Sequence, residues 1–203
     1  MFEVTSDQNN SVGDGTLSAI YVSKPNGGSY GDILATKDMY DTYSFTDTRK
    51  GLISPQLRSG QIGTAYYSVK YPPNDGMNYD DVKILRFSEM YFIAAEAYYN
   101  NNDMINANKY LNLLVQKRDP LLIYASAGTQ VLEDILNERR KEFLFEGYRF
   151  FDMYRLKRLF VNPLAQDGTN VISQRITVTT NTLNVFFSAF GVNRNCTSRY
   201  NNK

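Results

Sequence analysis

The stretch ILRFSEMYFIAAEAYYNNNDMINANKYLNLLVQKRDP, residues 84–120, is followed after a short break by LEDILNERRKEFLFEGYRFFDMYRLKR, residues 132–158. Together they decide the fold, because only here do apolar residues recur over a long run at the three- and four-residue spacing of an α-helix face. A first helix is expected over Val82 to Tyr99, begun by Asp80 and Asp81, whose charges suit the positive end of the helix dipole. Leu85, Phe87, Met90, Tyr91, Phe92, Ile93 and Tyr98 make it apolar nearly all round, which predicts burial on every side. Asn100-Asn101-Asn102 breaks it, and Asp103 is placed to cap a second helix, Met104 to Arg118, which stops before Pro120.

The two helices span close to the roughly 34 residues of a tetratricopeptide unit. Tyr91, Ala95 and Tyr98 take the aromatic, small and aromatic slots of the first helix, and Ala107 with Leu111 take those of the second. A lone hairpin of this kind cannot bury its own faces, so further helices must cover it. Val131 to Glu146 supplies one, with Thr129 as its cap, Gly147 as a left-handed stop and an inner stripe of Leu132, Leu136, Arg139 and Phe143. Tyr148 to Arg158 forms a short fourth helix.

Charges fall where the periodicity demands burial. Arg86, Glu89 and Glu96 lie on the first helix, Arg139 on the third, and Arg149 and Asp152 on the fourth. A buried ion network is expected, joining Glu89 or Glu96 to Arg139 or Arg149 and closed by Asp152. Arginine suits this role because its planar fork pairs bidentately with carboxylates and is less costly to desolvate than an ammonium. Glu138, Glu142 and Glu146 could instead be read as a glycosidase carboxylate pair. They share one helix with several arginines, however, whereas catalytic pairs face each other across a cleft.

Outside this stretch the chain reads as loops and short strands. Thr16 to Lys24 is β-prone and ends at the Pro25-Asn26-Gly27-Gly28 turn cluster. Ser29 to Asp47 fits neither periodic template. Thr64 to Tyr71 alternates Ala65, Tyr67, Val69 and Tyr71 on one face, as a strand does, before Pro72-Pro73. Asp75, Asn78, Asp80 and Asp81 lack the spacing and terminal Glu of a calcium loop.

Composition excludes several classes of chemistry. The 203 residues carry 22 Lys and Arg against 21 Asp and Glu, a net charge of +1 with no basic run, so no nucleic-acid partner is expected. With no histidine, Ser-His and Cys-His nucleophiles and most zinc sites are ruled out, and no metal or cofactor is expected. A single cysteine, Cys196, cannot form an internal disulfide. MFEVTSDQNN carries no signal pattern, and no apolar run approaches the roughly 20 residues of a membrane span. The 16 tyrosines are the type of side chain that stacks on sugar rings, and equally a routine core residue.

The segments LRFSEMYFIAAEAYY, NANKYLNLLVQKR and ILNERRKEFLFEGYRFFDMYRLKR resemble the C-terminal half of the SusD/RagB family of nutrient-binding outer-membrane lipoproteins. The likeness falls on Leu85, Arg86, Glu89, Ala95, Glu96 and Ala97 in the first segment and on Ala107, Leu111 and Asn112 in the second. In the third it falls on Glu138, Arg139, Arg140, Glu142, Glu146, Gly147, Arg149, Asp152 and Arg155. Tyr43, Asp47 and Arg49 are similar to the family's Asp-x-Arg element upstream. Members are longer and begin with a signal peptide and a lipid-accepting cysteine, so this chain resembles a C-terminal portion.

The resemblance implies a mainly α fold, part of an α superhelix. Residues 1–203 would form one SusD-like C-terminal domain, with loops and short strands over 1–80, the helical signature over 82–158 and an irregular or strand-bearing tail over 159–203. It implies a non-enzymatic protein at the outer-membrane cell surface that binds a glycan for delivery to a SusC-like TonB-dependent transporter. Membrane association would come only through a lipid anchor outside this sequence. The loop from Gly27 to Tyr43 holds the ligand-binding candidates Tyr30, Asp32, Tyr40 and Tyr43, with Asp38 and Asp41 nearby. A helical-repeat scaffold for a protein partner, or a glycoside hydrolase, are the alternative readings.

Overall fold

A computed structural model describes residues 2–7, 9, 16–23, 31, 33–57, 63–71 and 80–158. In chain order the elements are β1 (Phe2–Val4), α1 (Leu17–Tyr21), α2 (Lys37–Asp41), a 3-10 turn (Thr48–Leu52), β2 (Ile53–Leu57), β3 (Thr64–Ser68), β4 (Val82–Leu85), α3 (Phe87–Asn100), α4 (Met104–Val115), α5 (Gln130–Glu142) and α6 (Tyr148–Arg155). The fold is mainly α, with two antiparallel strand pairs, β1 with β4 and β2 with β3.

The α3–α4 hairpin forms as its sequence dictates. Asp103 caps α4, its Oδ1 accepting from the Asn106 amide at 3.0 Å. Ala95 and Ala107 are fully buried and let the two helices approach closely, and Leu111, Val115 and Phe92 fill the space between. Val131 and Ile135 bring α5 against this layer, and Phe143 meets Phe92 edge-on with ring centres 5.7 Å apart. Tyr98 stacks on Tyr110 across the hairpin. Five fully buried side chains of this cluster are aliphatic or aromatic residues larger than alanine, Phe92 from α3, Leu111 and Val115 from α4, and Val131 and Ile135 from α5.

Local pattern fails where distant partners intervene. The first helix starts at Phe87 rather than Val82, because Val82–Leu85 is drawn out as β4 to pair with β1. Asp80 and Asp81 do not start it: Asp80 Oδ2 accepts from the Ser18 amide at 2.7 Å and Asp81 Oδ1 from the Ser6 amide at 2.9 Å. Burial on every side also fails, since Phe87, Met90 and Ile93 are exposed along one edge of α3. The β-prone run from Thr16 contains helix α1, with the Thr16 hydroxyl as its cap, and Thr36 caps α2 in the same way. The 64–71 strand is shorter than its alternation implies, ending at Ser68, and Ala65, Tyr66, Tyr67 and Ser68 are all buried, so both its faces are covered.

Helix α5 closes at Glu142, short of the expected Glu146. Its last carbonyls find partners elsewhere: Lys70 Nζ donates to the carbonyls of Glu142 at 3.2 Å and Leu144 at 3.0 Å, and Arg86 Nη2 to that of Glu142 at 2.9 Å. Cations at a helix C-terminus also complement its dipole. Gly147 does adopt the left-handed conformation, with φ at +83°, but as the residue that starts α6. Thr129 stands at the head of α5 without donating or accepting a side-chain cap. Gly31 is left-handed as well, and a Cβ there would lie 2.8 Å from the Tyr67 ring and 2.9 Å from Ser23 Cα.

Truncating Leu111 to Ala is expected to lower the unfolding free energy by about 2 to 5 kcal/mol, through lost burial and the cavity left among rigid neighbours. Ile105→Ala, at a position 83% exposed on the same helix, should change it by no more than about 0.5 kcal/mol. Urea titration followed by circular dichroism measures both.

Candidate functional site

Every charged cluster converges on α5. Its buried face carries Val131, Ile135, Glu138, Arg139 and Glu142 at helical spacing, so carboxylates and a guanidinium follow the apolar residues into the interior. Glu138 is fully buried. Its Oε2 accepts from Arg49 Nη2 at 2.7 Å, while Oε1 accepts from Lys141 Nζ at 2.7 Å and from the Tyr124 hydroxyl at 2.8 Å. Arg49 also grips Asp47 with two parallel bonds, Nε to Oδ1 at 2.9 Å and Nη2 to Oδ2 at 2.8 Å. Asp47 Oδ1 further caps the 3-10 turn through the Arg49 amide.

Glu142 extends the cluster. Arg118 holds it bidentately, Nε to Oε2 at 3.0 Å and Nη2 to Oε1 at 2.9 Å, with Arg86 at 3.4 Å and Arg49 at 3.6 Å. Arg86 also lies 3.1 Å from Glu146, which Lys70 pairs from its other side. Burial raises the Glu142 pKa, yet the hydrogen bonds from Arg118 and the charges of Arg118, Arg86 and Arg49 outweigh it, leaving the carboxyl below its ordinary range. Arg49 follows the mirror logic. Desolvation works against its charge, and the Asp47 and Glu138 carboxylates more than offset this, so its proton is held more tightly than usual.

A second cluster joins α3, α5 and α6. Arg139 Nε donates to Asp152 Oδ2 at 3.0 Å, and Arg139 Nη2 lies 4.0 Å from Glu89 Oε1. The Arg139 guanidinium also lies over the Phe92 and Phe143 rings, 5.7 and 5.5 Å from their centres. Glu89 accepts from the Tyr148 hydroxyl at 3.1 Å. Asp152 Oδ1 accepts from Arg155 Nε at 3.0 Å, and Arg155 reaches on to Glu96, with Nη2 2.7 Å from Oε2.

The residues expected in one network are therefore divided between two. Glu89, Arg139 and Asp152 come together, whereas Arg86 joins Glu142 and Glu146. Of the pairings expected, Glu89 with Arg139 and Asp152 forms, while Glu96 is reached by Arg155, a residue outside the expected set. Desolvation and the nearby Arg140 charge lower the Arg149 pKa, so this position disfavours its charge. Arg155 was visible three residues after Asp152, the spacing at which helical side chains meet. Lys70, Arg118 and Tyr124 gave no such signal, because they come from separate segments.

The ligand-binding candidates fare unevenly. Tyr30 and Asp32 lie outside the described residues. Tyr43 is 2% exposed and its hydroxyl donates to the Lys141 carbonyl at 3.0 Å, so it is a core residue with no ring face for a sugar. Burial raises its pKa. Tyr40 is half-buried, with Lys50 Nζ 4.8 Å from its ring centre and the Tyr66 ring 5.2 Å away. Asp38 and Asp41 are exposed on the same short helix. Among the described residues, no group of three or more His, Cys, Asp or Glu side chains is arranged to hold a metal, and no helix is long and apolar enough to cross a membrane.

Segment 43–49 is fastened to the α4–α5 connection as well. The buried Asp119 accepts from the Ser44 and Thr46 hydroxyls, each at 2.6 Å, and the Thr48 amide donates to the Arg118 carbonyl at 2.8 Å. Burial alone would raise the Asp119 pKa, but these hydroxyls and the Leu121 amide hold it below the usual carboxylate range.

Comparison with known proteins places this geometry. The sequence model of the SusD family matches residues 61–201. No curated protein sequence matches the chain. Among solved structures, a candidate sugar-binding protein from Bacteroides vulgatus ATCC 8482 is 29% identical, with a TM-score of 0.67 over 80% of this chain and 35% of its own. A SusD superfamily protein from Bacteroides thetaiotaomicron VPI-5482 is 25% identical, with a TM-score of 0.61 over 80% of this chain and 39% of its own. The surface glycan-binding protein A from Bacteroides thetaiotaomicron, solved in complex with laminarihexaose, shares the fold at 22% identity and a TM-score of 0.57, over 77% of this chain and 42% of its own. The chain thus spans well under half the length of these proteins.

Two outcomes follow from the ion clusters. Asp152→Ala leaves Arg139 without its carboxylate in a dry interior and is expected to cost about 3 to 5 kcal/mol, whereas Arg149→Ala should stay within about 0.5 kcal/mol. Chemical denaturation of the two variants distinguishes them. Glu142 and Asp119 have folded-state pKa values below their unfolded ones, so the stability they contribute is complete above the unfolded carboxylate range, about pH 4, and is lost as pH falls through the folded values. Urea midpoints measured from about pH 7 down to about pH 3 should fall at the acid end, and less steeply in Glu142→Gln.

Proposed function

The chain belongs to the SusD family, and from that premise we propose that it binds a glycan without transforming it, at the outer-membrane cell surface, for delivery to a SusC-like TonB-dependent transporter. The observation that carries this reading is the family match over 61–201, which contains the whole α3–α6 assembly. A putting-together of tetratricopeptide-like helices around locked ion pairs makes a rigid support, and loops on a rigid support are where binding residues gather.

The electrostatics favour holding over chemistry. A glycosidase acid needs a carboxyl whose pKa is raised, so that it carries a proton at neutral pH. Glu142 is shifted the other way by its arginines, and Glu138 has both oxygens engaged by Arg49, Lys141 and Tyr124. Tyr40, beside Lys50 on the surface of α2, is the described aromatic from the candidate loop that keeps exposure, and it is our choice for a ligand contact. Tyr30 and Asp32 remain candidates on the same loop.

Isothermal calorimetry against a panel of oligosaccharides, laminarihexaose included, tests the proposal. Saturable binding to at least one glycan is expected, with chromatography showing the glycan chains unshortened afterwards. Cleavage of any panel member, or no binding to any of them, contradicts it. Tyr40→Ala should weaken the binding about fivefold, the worth of one aromatic contact near 1 kcal/mol.

A further inference from the structure

Residues 121–126, between α4 and α5, belong to no helix or strand, yet their side chains alternate as a strand's do. Leu122, Tyr124 and Ser126 are half-buried, the first two against the α3–α4–α5 core, while Leu121, Ile123 and Ala125 are exposed. Amide side chains on α4 fix this path. Asn112 Nδ2 donates to the Tyr124 carbonyl and Asn112 Oδ1 accepts from the Tyr124 amide, both at 2.8 Å, so one side chain grips both backbone groups of one residue, as a neighbouring strand would. One turn earlier, Asn108 Nδ2 donates to the Ser126 carbonyl at 2.8 Å. Four residues rise about 6 Å along a helix, close to the roughly 6.6 Å between alternate residues of an extended chain, so the rungs match. Helix α5 supplies the second rail: Glu138 Oε1 accepts from the Tyr124 hydroxyl at 2.8 Å, and Asp134, one turn away, accepts from the Ser126 hydroxyl.

The fit falls short at one rung. Asn108 Oδ1 is buried and has no partner, whereas its counterpart on Asn112 accepts a backbone amide. A buried amide oxygen left unmatched is costly. The Asn108 amide nitrogen shows no such deficit, because it also donates to the Met104 carbonyl at 2.9 Å. Just beyond this rung the chain leaves the rail, with Gly128 at φ +58° in the approach to α5. An extended peptide free of that turn is able to present an amide to Asn108 Oδ1 and complete the ladder. Main-chain bonds that give affinity and alternate side chains that give specificity are the two elements of extended-peptide recognition, and both are present here.

We propose that Asn108 and Asn112 on α4, with Asp134 and Glu138 on α5, form a binding site for an extended peptide of the pattern Leu-x-Tyr-x-Ser, and that residues 121–127 occupy it in cis as an autoinhibitory contact. The site is separate from Tyr40 and does not rest on the glycan-binding reading. The probe is a dye-labelled peptide, PLLIYASA, the sequence of residues 120–127, followed by fluorescence anisotropy with the full chain. The tethered copy acts at an effective concentration in the millimolar range, so the parent chain is expected to leave the peptide unbound at micromolar concentrations. Leu122→Ser combined with Tyr124→Ser frees the site and should bind the peptide with a micromolar dissociation constant, and a scrambled peptide should not bind. Adding Asn112→Leu should weaken the binding by about tenfold or more, the worth of two hydrogen bonds left unmade. Hydrogen exchange on the parent chain decides even where the double variant fails to fold: the Tyr124 amide should exchange through a local opening, about tenfold or more faster than the Leu111 amide in α4. A freed chain that is helical by circular dichroism and binds no peptide, equal binding of the scrambled peptide, binding unmoved by Asn112→Leu, or a Tyr124 amide as protected as that of Leu111 would overturn the proposal.

Discussion

The Arg49 guanidinium, shared between Asp47 two residues away and Glu138 eighty-nine residues along the chain, is the contact on which the structure turns. It fastens an N-terminal segment with little periodic structure of its own to a helix in the core. Desolvating Arg49 is costly, and the cost is offset because Asp47 and Glu138 meet the guanidinium with Glu142 3.6 Å away, while Lys141 and Tyr124 occupy the other Glu138 oxygen and Arg118 holds Glu142. Removal of one member would leave its partners charged and dry. The arrangement specifies one register of segment 43–49 against α5, and the Ser44, Thr46 and Thr48 bonds to the Arg118–Asp119 corner agree with that register.

Around this contact the apolar and ionic layers divide the labour. Phe92, Leu111, Val115 and Ile135 give the α3–α4–α5 assembly its non-directional cohesion. The Arg139–Asp152–Arg155 chain fixes where α6 sits, and Lys70 with Arg86 ties the β-region to the carbonyls released at the end of α5. The result is a frame in which the buried carboxylates are committed to structural ion pairs.

Helices α3 and α4, the Asp103 cap and the close-packed alanines were legible in the sequence because each is set by residues within a few positions of one another. The mainly α class followed from them. What was not legible depended on partners far along the chain. Val82–Leu85 is too short for its pattern to separate strand from helix, and it pairs with Phe2–Val4, some eighty residues away. Helix α5 stops early, where Lys70 and Arg86, from distant segments, bond the Glu142 carbonyl. Spacing put Glu96 on the face toward α6 but did not single out Arg155, the residue on α6 that reaches it. Tyr43 reads as a loop aromatic, and nothing adjacent to it reveals that Lys141 offers a buried carbonyl. Exposure of Phe87, Met90 and Ile93 was equally invisible, since hydrophobicity states a preference for cover without supplying it.

The most direct measurement is the coupling energy between Arg49 and Glu138 in a double-mutant cycle. Arg49→Met, Glu138→Met and the double variant would be unfolded in urea beside the parent chain. If the guanidinium and carboxylate hold the segment to α5, each single change is severe and the double change costs much less than their sum, with a coupling of about 2 kcal/mol or more. Additive losses, with coupling below about 0.5 kcal/mol, would mean that the fold stands without this contact.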